Sequence, residues 1–192
     1  TPIGTDRSSD GLDILDAPAL LERFRKVAPD VVYHLAGAAD VGGSFDTPQI
    51  TFRAIAEGTL NVLWAAREAS AERILTVGSA DVYGKVTPDE LPLTEASELR
   101  PTSPYAASKV AAEAVAQQAF LGFDQHVLCV RPFNHLGPGQ STRFVAPALA
   151  ERIARNEREG NRQLMIGNLS SRRDFTDVRD VVRAYRMLMV HG

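Results

Sequence analysis

Three short apolar runs rich in β-branched residues recur along the chain, separated by stretches with helical periodicity. They are Asp30-Val31-Val32-Tyr33-His34-Leu35-Ala36, Arg73-Ile74-Leu75-Thr76-Val77 and His126-Val127-Leu128-Cys129-Val130, and Gly, Ser or Pro follows each. A run that stays apolar without alternation belongs to a strand covered on both faces. Such strands pair in parallel when long helices join them, because a parallel connection needs a crossover of about a dozen residues or more. The spacing predicts helices over 19–27, 47–69, 104–120, 144–156 and 177–189, with Pro48 and Pro104 in first turns and Ser103 as an N-cap. Further short strands are expected at 164–166 and 175–178, and residues 134–140 read as a Gly/Pro-rich loop. The fold class is therefore α/β, a doubly wound parallel sheet with helices on both faces. Ligands of such sheets bind beyond the carboxyl ends of the strands, which singles out Ser79, Asn134 and the loop after Leu35.

Composition narrows the class of partner. The 24 acidic and 21 basic side chains leave a net charge of -3, without the basic footprint of a nucleic-acid or acidic-membrane binder. No stretch approaches the roughly 20 apolar residues of a membrane span. The first twenty residues are polar and broken by Pro2, Gly4, Gly11 and Pro18, unlike a signal peptide, so a cytoplasmic protein is expected. The single Cys129 excludes an intramolecular disulfide framework and a cysteine zinc cluster, and no metal site is expected. Its place inside an apolar run predicts a buried thiol.

Tyr105-Ala106-Ala107-Ser108-Lys109 sets a tyrosine and a lysine four apart on one helix face. A nearby ammonium favours the phenolate, lowering the tyrosine pKa toward neutrality and making Tyr105 a usable general acid/base. The same spacing also describes ordinary surface neighbours. What raises the pair above them is the strand upstream that ends in Ser79.

Val77-Gly78-Ser79-Ala80-Asp81-Val82-Tyr83-Gly84, then Pro104-Tyr105-Ala106-Ala107-Ser108-Lys109, then Arg131-Pro132-Phe133-Asn134 resemble the extended short-chain dehydrogenase/reductases. That family holds nucleotide-sugar epimerases, dehydratases and reductases. Tyr33-His34-Leu35-Ala36-Gly37 resembles its strand-four motif, and Arg173-Asp174-Phe175-Thr176-Asp177-Val178-Arg179-Asp180 its substrate-domain motif. The resemblance implies a Rossmann-type NAD(P)-binding domain over 1–133, incomplete at its start, and part of a substrate-binding lobe over 134–192. It implies NAD or NADP as cofactor, a nucleotide sugar as substrate and a homodimer for the full-length protein.

The family also implies roles for matching residues. Tyr105 is the catalytic acid/base, Lys109 lowers its pKa and bonds the nicotinamide ribose, and Ser79 bonds the oxygen on the reacting sugar carbon. Asp13 and Ile14 match the pair that contacts the adenine, although Asp13 serves equally as a turn residue. Leu35, Ala36 and Gly37 line the dinucleotide, or pack tightly as small residues after a strand do. Pro132 and Phe133 lie near the nicotinamide. Asn134 binds a phosphate oxygen of the sugar nucleotide, and Arg173 grips its diphosphate with a planar guanidinium. Arg143 stands where a second phosphate-facing residue comes, or is a surface helix charge.

Two features depart from the family. Its G-x-x-G-x-x-G loop, on which the pyrophosphate rests, is not formed by Gly4 and Gly11, so the chain reads as the middle of a larger enzyme. Ile55 stands before Ala56-Glu57-Gly58-Thr59 where the family usually has Asn. Gly167-Asn168-Leu169 ahead of Arg173, together with residues 131–140, is most similar to the GDP-mannose branch, which includes both GDP-4-keto-6-deoxy-mannose reductases and GDP-mannose 4,6-dehydratases. Dehydratases usually carry Glu two residues after the Ser/Thr to take the C5 proton. Asp81 holds that place here and is one methylene shorter. The expected reaction is therefore reduction of a C4 ketone, with 4,6-dehydration or 4-epimerisation as alternatives. A cofactor- or partner-binding protein without turnover is the reading of another class.

Overall fold

The computed structural model describes residues 2–167, 170 and 172–192. Asn168 and Leu169, part of the motif assigned to the GDP-mannose branch, lie outside the described residues. Packing divides the chain into two units, Thr1–Pro132 with Tyr185–Gly192, and Phe133–Ala184.

In the first unit the three apolar runs form β1 (Val31–His34), β2 (Arg73–Val77) and β3 (Val127–Val130). They pair in parallel in the order β1-β2-β3. The middle strand is the most enclosed, and Ile74 and Leu75 have no exposed surface. Helix α1 (Ala17–Val27) begins at Asp16, whose carboxylate accepts the Ala19 N–H at 3.1 Å. It ends at Ala28, left-handed at φ 44°, just before Pro29. The crossover from β1 to β2 is one helical run: α2 (Pro48–Phe52), a π-helical turn (Arg53–Glu57) and α3 (Gly58–Glu68). Such turns mark functional sites, and here the turn carries Ile55, which packs against Tyr105 and Ala112. Helix α4 (Pro104–Phe123) makes the crossover from β2 to β3. Leu20 and Phe24 of α1, Val62, Leu63 and Ala66 of α3, Ile74 of β2, and Ala116 and Ala119 of α4 share one core. Fully burying a side chain the size of leucine contributes about 1.5–3 kcal/mol.

In the second unit β4 (Asn134–Leu136) pairs in parallel with β5 (Phe175–Asp177), Asn134 standing opposite Phe175. Helix α5 (Val145–Glu159) ends at Gly160, and α6 (Val178–His191) follows β5 directly. The last residues of α6 belong to the first unit, where the Arg73 guanidinium donates to the Met189 carbonyl at 2.9 Å.

Two sequence expectations need correction. Residues 164–166 form no strand; β5 takes its partner from 134–136, which reads as a loop. A three-residue polar strand has no period to detect, so only its partner defines it. Cys129 is exposed rather than buried, because β3 is the outermost strand of its sheet among the described residues. Its Sγ lies 3.2 Å from the Thr76 hydroxyl. Among the described residues no helix is long and apolar enough to cross a membrane.

Candidate active site

The β2–β3 ladder continues past the strand ends and positions the site. Gly78 N–H donates to the Val130 carbonyl at 2.7 Å, and Ala80 N–H to that of Pro132 at 3.0 Å. Ser79 is thereby held at the carboxyl end of β2, in extended conformation. Its hydroxyl accepts the Asp81 N–H at 3.1 Å, which starts the 3-10 turn Ala80–Tyr83. Gly84 closes that turn at φ 67°, where a Cβ would strike the Arg100 carbonyl oxygen. Only glycine meets both demands.

The other two catalytic candidates come from the start of α4. The Ser103 hydroxyl caps the helix by accepting the Ala106 N–H at 3.1 Å, Pro104 takes the first helical position and Tyr105 the second. Tyr105 is buried, packed with Ile55 and Ala112, and the Ser79 side chain is near enough to favour its phenolate. One turn later the Lys109 Nζ lies 5.7 Å from the Tyr105 ring centroid and donates to the Val77 carbonyl at 2.7 Å.

The electrostatics differ from the sequence expectation. Burial, reinforced by the negative charge of Asp81, pushes the Tyr105 phenol above its ordinary value, against the opposing pull of the Ser79 side chain. The lowering expected from Lys109 is not the outcome, because burial is the largest influence on the phenol; the Lys109 Nζ donates to the Val77 carbonyl. Lys109 is itself pushed down to about 8 by burial. His34, at the end of β1, is held at about 4 by burial and by the charge of Lys109, so it is neutral at physiological pH. Its Nε2 is 3.1 Å from the Thr59 hydroxyl, whose single proton is donated to the Ile55 carbonyl at 2.6 Å. His34 therefore donates through Nε2–H.

Leu35, Ala36 and Gly37 are exposed at the carboxyl end of β1. Gly37 adopts φ 152°, and a Cβ there would meet only Ile55 at 3.8 Å, so the backbone is open to close approach. With Pro132 and Lys109 at the neighbouring strand ends, this small-residue shelf suits a dinucleotide. The Asp13 carboxylate accepts the Leu15 N–H at 2.9 Å and pairs with Arg7 at 3.5 Å. Ile14 packs against the core, and its carbonyl accepts from Asn61 at 2.9 Å.

Ser79, Asp81, Tyr105, Lys109 and Pro132 thus gather at the ends of β2 and β3. Asn134, Arg143 and Arg173 belong to the second unit and are exposed there. Asn134 pairs in register with Phe175, two residues after Arg173. The Arg173 guanidinium donates to the Arg172 carbonyl at 2.8 Å, and the Arg143 N–H donates to the Ser141 hydroxyl at 3.3 Å.

Four supporting residues, Arg131, Glu113, Tyr83 and Ser44, have no role in the sequence reading. Arg131 donates through Nε to the Glu113 carboxylate at 2.9 Å, and through Nη1 to the Tyr83 hydroxyl at 3.0 Å and the Glu95 carbonyl at 2.9 Å. Glu113 follows Lys109 by four, as Lys109 follows Tyr105, so its spacing is a signal visible in the sequence. Tyr83 and Ser44 carry no such signal; the Ser44 hydroxyl accepts the Tyr105 N–H at 3.2 Å.

Comparison with known proteins gives the same frame. The family described as GDP-mannose 4,6 dehydratase matches residues 9–192. GDP-6-deoxy-D-mannose reductase of Pseudomonas aeruginosa is 40% identical over 183 residues, covering 94% of this chain and 60% of that protein. GDP-mannose 4,6 dehydratase 2 of Caenorhabditis elegans is 29% identical over 175 residues, covering 90% of this chain and 45% of that protein. The chain thus spans less than two thirds of these relatives' length. Among solved structures, RMD from Pseudomonas aeruginosa complexed with NADPH matches with a TM-score of 0.90 at 37% identity, over 100% of this chain and 64% of that one. The dTDP-glucose 4,6-dehydratase DesIV from Streptomyces venezuelae, with NAD and TYD bound, matches with a TM-score of 0.84 at 27% identity, over 95% of this chain and 54% of that one. With its parallel sheet and its motifs in order, the chain belongs to the GDP-mannose 4,6 dehydratase family, within the extended short-chain dehydrogenase/reductases of Rossmann-type fold.

Proposed function

We propose that the complete protein is an NAD(P)-dependent oxidoreductase that reduces the C4 ketone of a GDP-4-keto-6-deoxy-hexose. The observation that carries this reading is the placement of Ser79 at the carboxyl end of β2, Tyr105 in the first turn of α4 and Lys109 one helical turn later, 5.7 Å from the Tyr105 ring centroid. The 40% identity to a GDP-6-deoxy-D-mannose reductase supports the choice of substrate. NADH or NADPH, when bound, supplies the hydride. Leu35, Ala36, Gly37 and Pro132 line the dinucleotide, and Asp13 and Ile14 meet its adenine. Ser79 donates to the ketone oxygen and polarises the carbonyl. Tyr105, kept protonated at neutral pH by burial, gives its proton to that oxygen as negative charge develops. The Lys109 ammonium stabilises the phenolate left behind and bonds the nicotinamide ribose. Asn134, Arg143 and Arg173 take the phosphates of the sugar nucleotide.

Dehydration is the second reading, because a carboxylate, Asp81, stands two residues after Ser79. The test is an assay of the complete protein on a panel of nucleotide sugars with both cofactors. Ketone reduction is expected, and Tyr105→Phe should lower turnover by at least about 100-fold while nucleotide-sugar binding survives. Near-normal turnover in that variant refutes the assignment. Asp81→Asn should keep most of the reduction rate. A collapse of ketone reduction in Asp81→Asn with folding unchanged counts against this reading, whereas loss of 4,6-dehydration in that variant supports Asp81 as the base of a dehydratase. Dinucleotide binding without turnover across the whole panel favours a non-catalytic binding protein.

The exposed side chains of Leu60 and Trp64 on α3 and Phe123 on α4 support a homodimer built on these helices. Sedimentation of the complete protein as a monomer refutes it. A cytoplasmic location, tested by fractionation, belongs to the same reading.

A further inference from the structure

We propose that Ser44 is a positioning residue for Tyr105, tying the backbone of the catalytic acid to the segment that leads from the dinucleotide shelf. The inference rests on the proposed role of Tyr105. Tyr105 occupies the second position of α4, so its N–H is one of the donors a helix start leaves without an intrahelical partner. The Ser103 cap serves Ala106, and Pro104 has no N–H to serve. The Ser44 hydroxyl reaches in from a distant loop and accepts the Tyr105 N–H at 3.2 Å. The same hydroxyl donates its proton to the Val41 carbonyl at 2.6 Å. Its hydrogen is thereby committed, and its side of both bonds is buried, with Ser44 only 1% exposed.

Ser44 lies in a 3-10 turn, Gly43–Phe45, which is tied together by its own bonds. The Asp40 carboxylate accepts the Gly43 N–H at 2.9 Å, Ser44 N–H donates to the Asp40 carbonyl at 3.2 Å, and Thr47 N–H donates to that of Gly43 at 3.2 Å. The loop leaves the carboxyl end of β1 directly after Leu35, Ala36 and Gly37, and Ala38 packs against the cluster of Ile55, Tyr105 and Ala112. One buried hydroxyl therefore joins the segment proposed to carry the cofactor to the residue proposed to deliver the proton. Removing that hydroxyl leaves the Tyr105 N–H and the Val41 carbonyl without their partner and frees the start of α4 to shift. A shift of about 1 Å at a reacting group costs up to about 100-fold in rate.

The test is a double-variant cycle in the complete protein, read as kcat, nucleotide-sugar KM and the fraction folded. Ser44→Ala should lower kcat by about 10- to 100-fold with KM changed less than about threefold. In the Tyr105→Phe background the same substitution should change kcat by less than about twofold, because the hydroxyl it positions is gone. Ser44→Cys, which keeps a weak donor and acceptor at that place, should restore part of the rate, and it carries the test if Ser44→Ala does not fold. Unchanged kcat in a folded Ser44→Ala protein overturns the inference, as does a folded Ser44→Cys protein whose kcat is no higher than that of Ser44→Ala. So does an equal, multiplicative loss in both backgrounds. Near-normal turnover in Tyr105→Phe alone refutes the acid assignment instead, which separates the two failures.

Discussion

Lys109 is pulled two ways at the scale of a single residue. Its ammonium is satisfied by the Val77 carbonyl, yet burial disfavours the charge and brings its pKa from 10.5 down to about 8. Ketone reduction needs Tyr105 protonated and Lys109 charged to hold the phenolate. Tyr105, raised by burial, stays protonated well past neutrality, so Lys109 is the group that fails first. The kcat/KM of the complete enzyme should therefore be flat near neutrality and fall with single-proton slope above about pH 8. Lys109→Arg keeps its charge at these pH values and should lose that limb. A wild-type profile still flat at about pH 9.5 contradicts the assignment. The same shift has a stability sign. A base whose folded pKa is depressed binds fewer protons folded than unfolded, so its contribution to stability rises with pH between about 8 and 10.5.

Helix α4 is the element on which the site depends, because Tyr105, Lys109 and Glu113 repeat every four residues along it. Glu113 anchors this face through Arg131 to the Tyr83 hydroxyl, and so to the turn that begins at Ser79. The side chains of Arg131 and Glu113 are only 15% and 20% exposed. Glu113→Ala leaves a largely enclosed guanidinium without its counter-ion and should cost about 3 kcal/mol in urea unfolding. Replacing both partners, as in Glu113→Leu with Arg131→Met, should recover most of that loss. A cost below about 0.5 kcal/mol for Glu113→Ala shows the pair to be an ordinary surface contact. The three parallel strands and their crossover helices are legible in the sequence, because burial on both faces leaves unbroken apolar runs and helix starts carry Ser and Pro. The Ser79, Tyr105 and Lys109 constellation is legible for a related reason, since strand ends and helical spacing bring those residues together. Ser44 is not, because its value lies in a hydrogen bond across 61 positions. Nor is β4, whose three residues become a strand only by pairing with β5. The pKa of Tyr105 escapes the spacing argument because its direction is set first by burial, which helical spacing does not reveal.

On the scale of the molecule, the three-stranded sheet ends in β1 and β3, and Val31 and Tyr33 of β1 remain 42% and 43% exposed. An open apolar strand edge is a template for pairing with another chain. The 192 residues also contain no G-x-x-G-x-x-G, and they cover 60% of the length of the reductase relative. Both facts bear on residues 1–192 expressed by themselves. The strand-end shelf at 35–37 offers small residues and backbone to a dinucleotide but no row of N–H groups at a helix start for the pyrophosphate. Charge-assisted bonds of that kind contribute roughly 1.5–3 kcal/mol each. Lacking two of them weakens binding by about two to four orders of magnitude at about 1.4 kcal/mol per tenfold. Isothermal titration of this chain with NADH and with NADPH should therefore give a Kd weaker than about 1 mM. Its sedimentation should show association that grows with concentration. Micromolar binding by a monomeric 1–192 would mean that the ends of β1, β2 and β3 hold the dinucleotide without the glycine-rich loop, and that the pyrophosphate is gripped by residues assigned here to other roles.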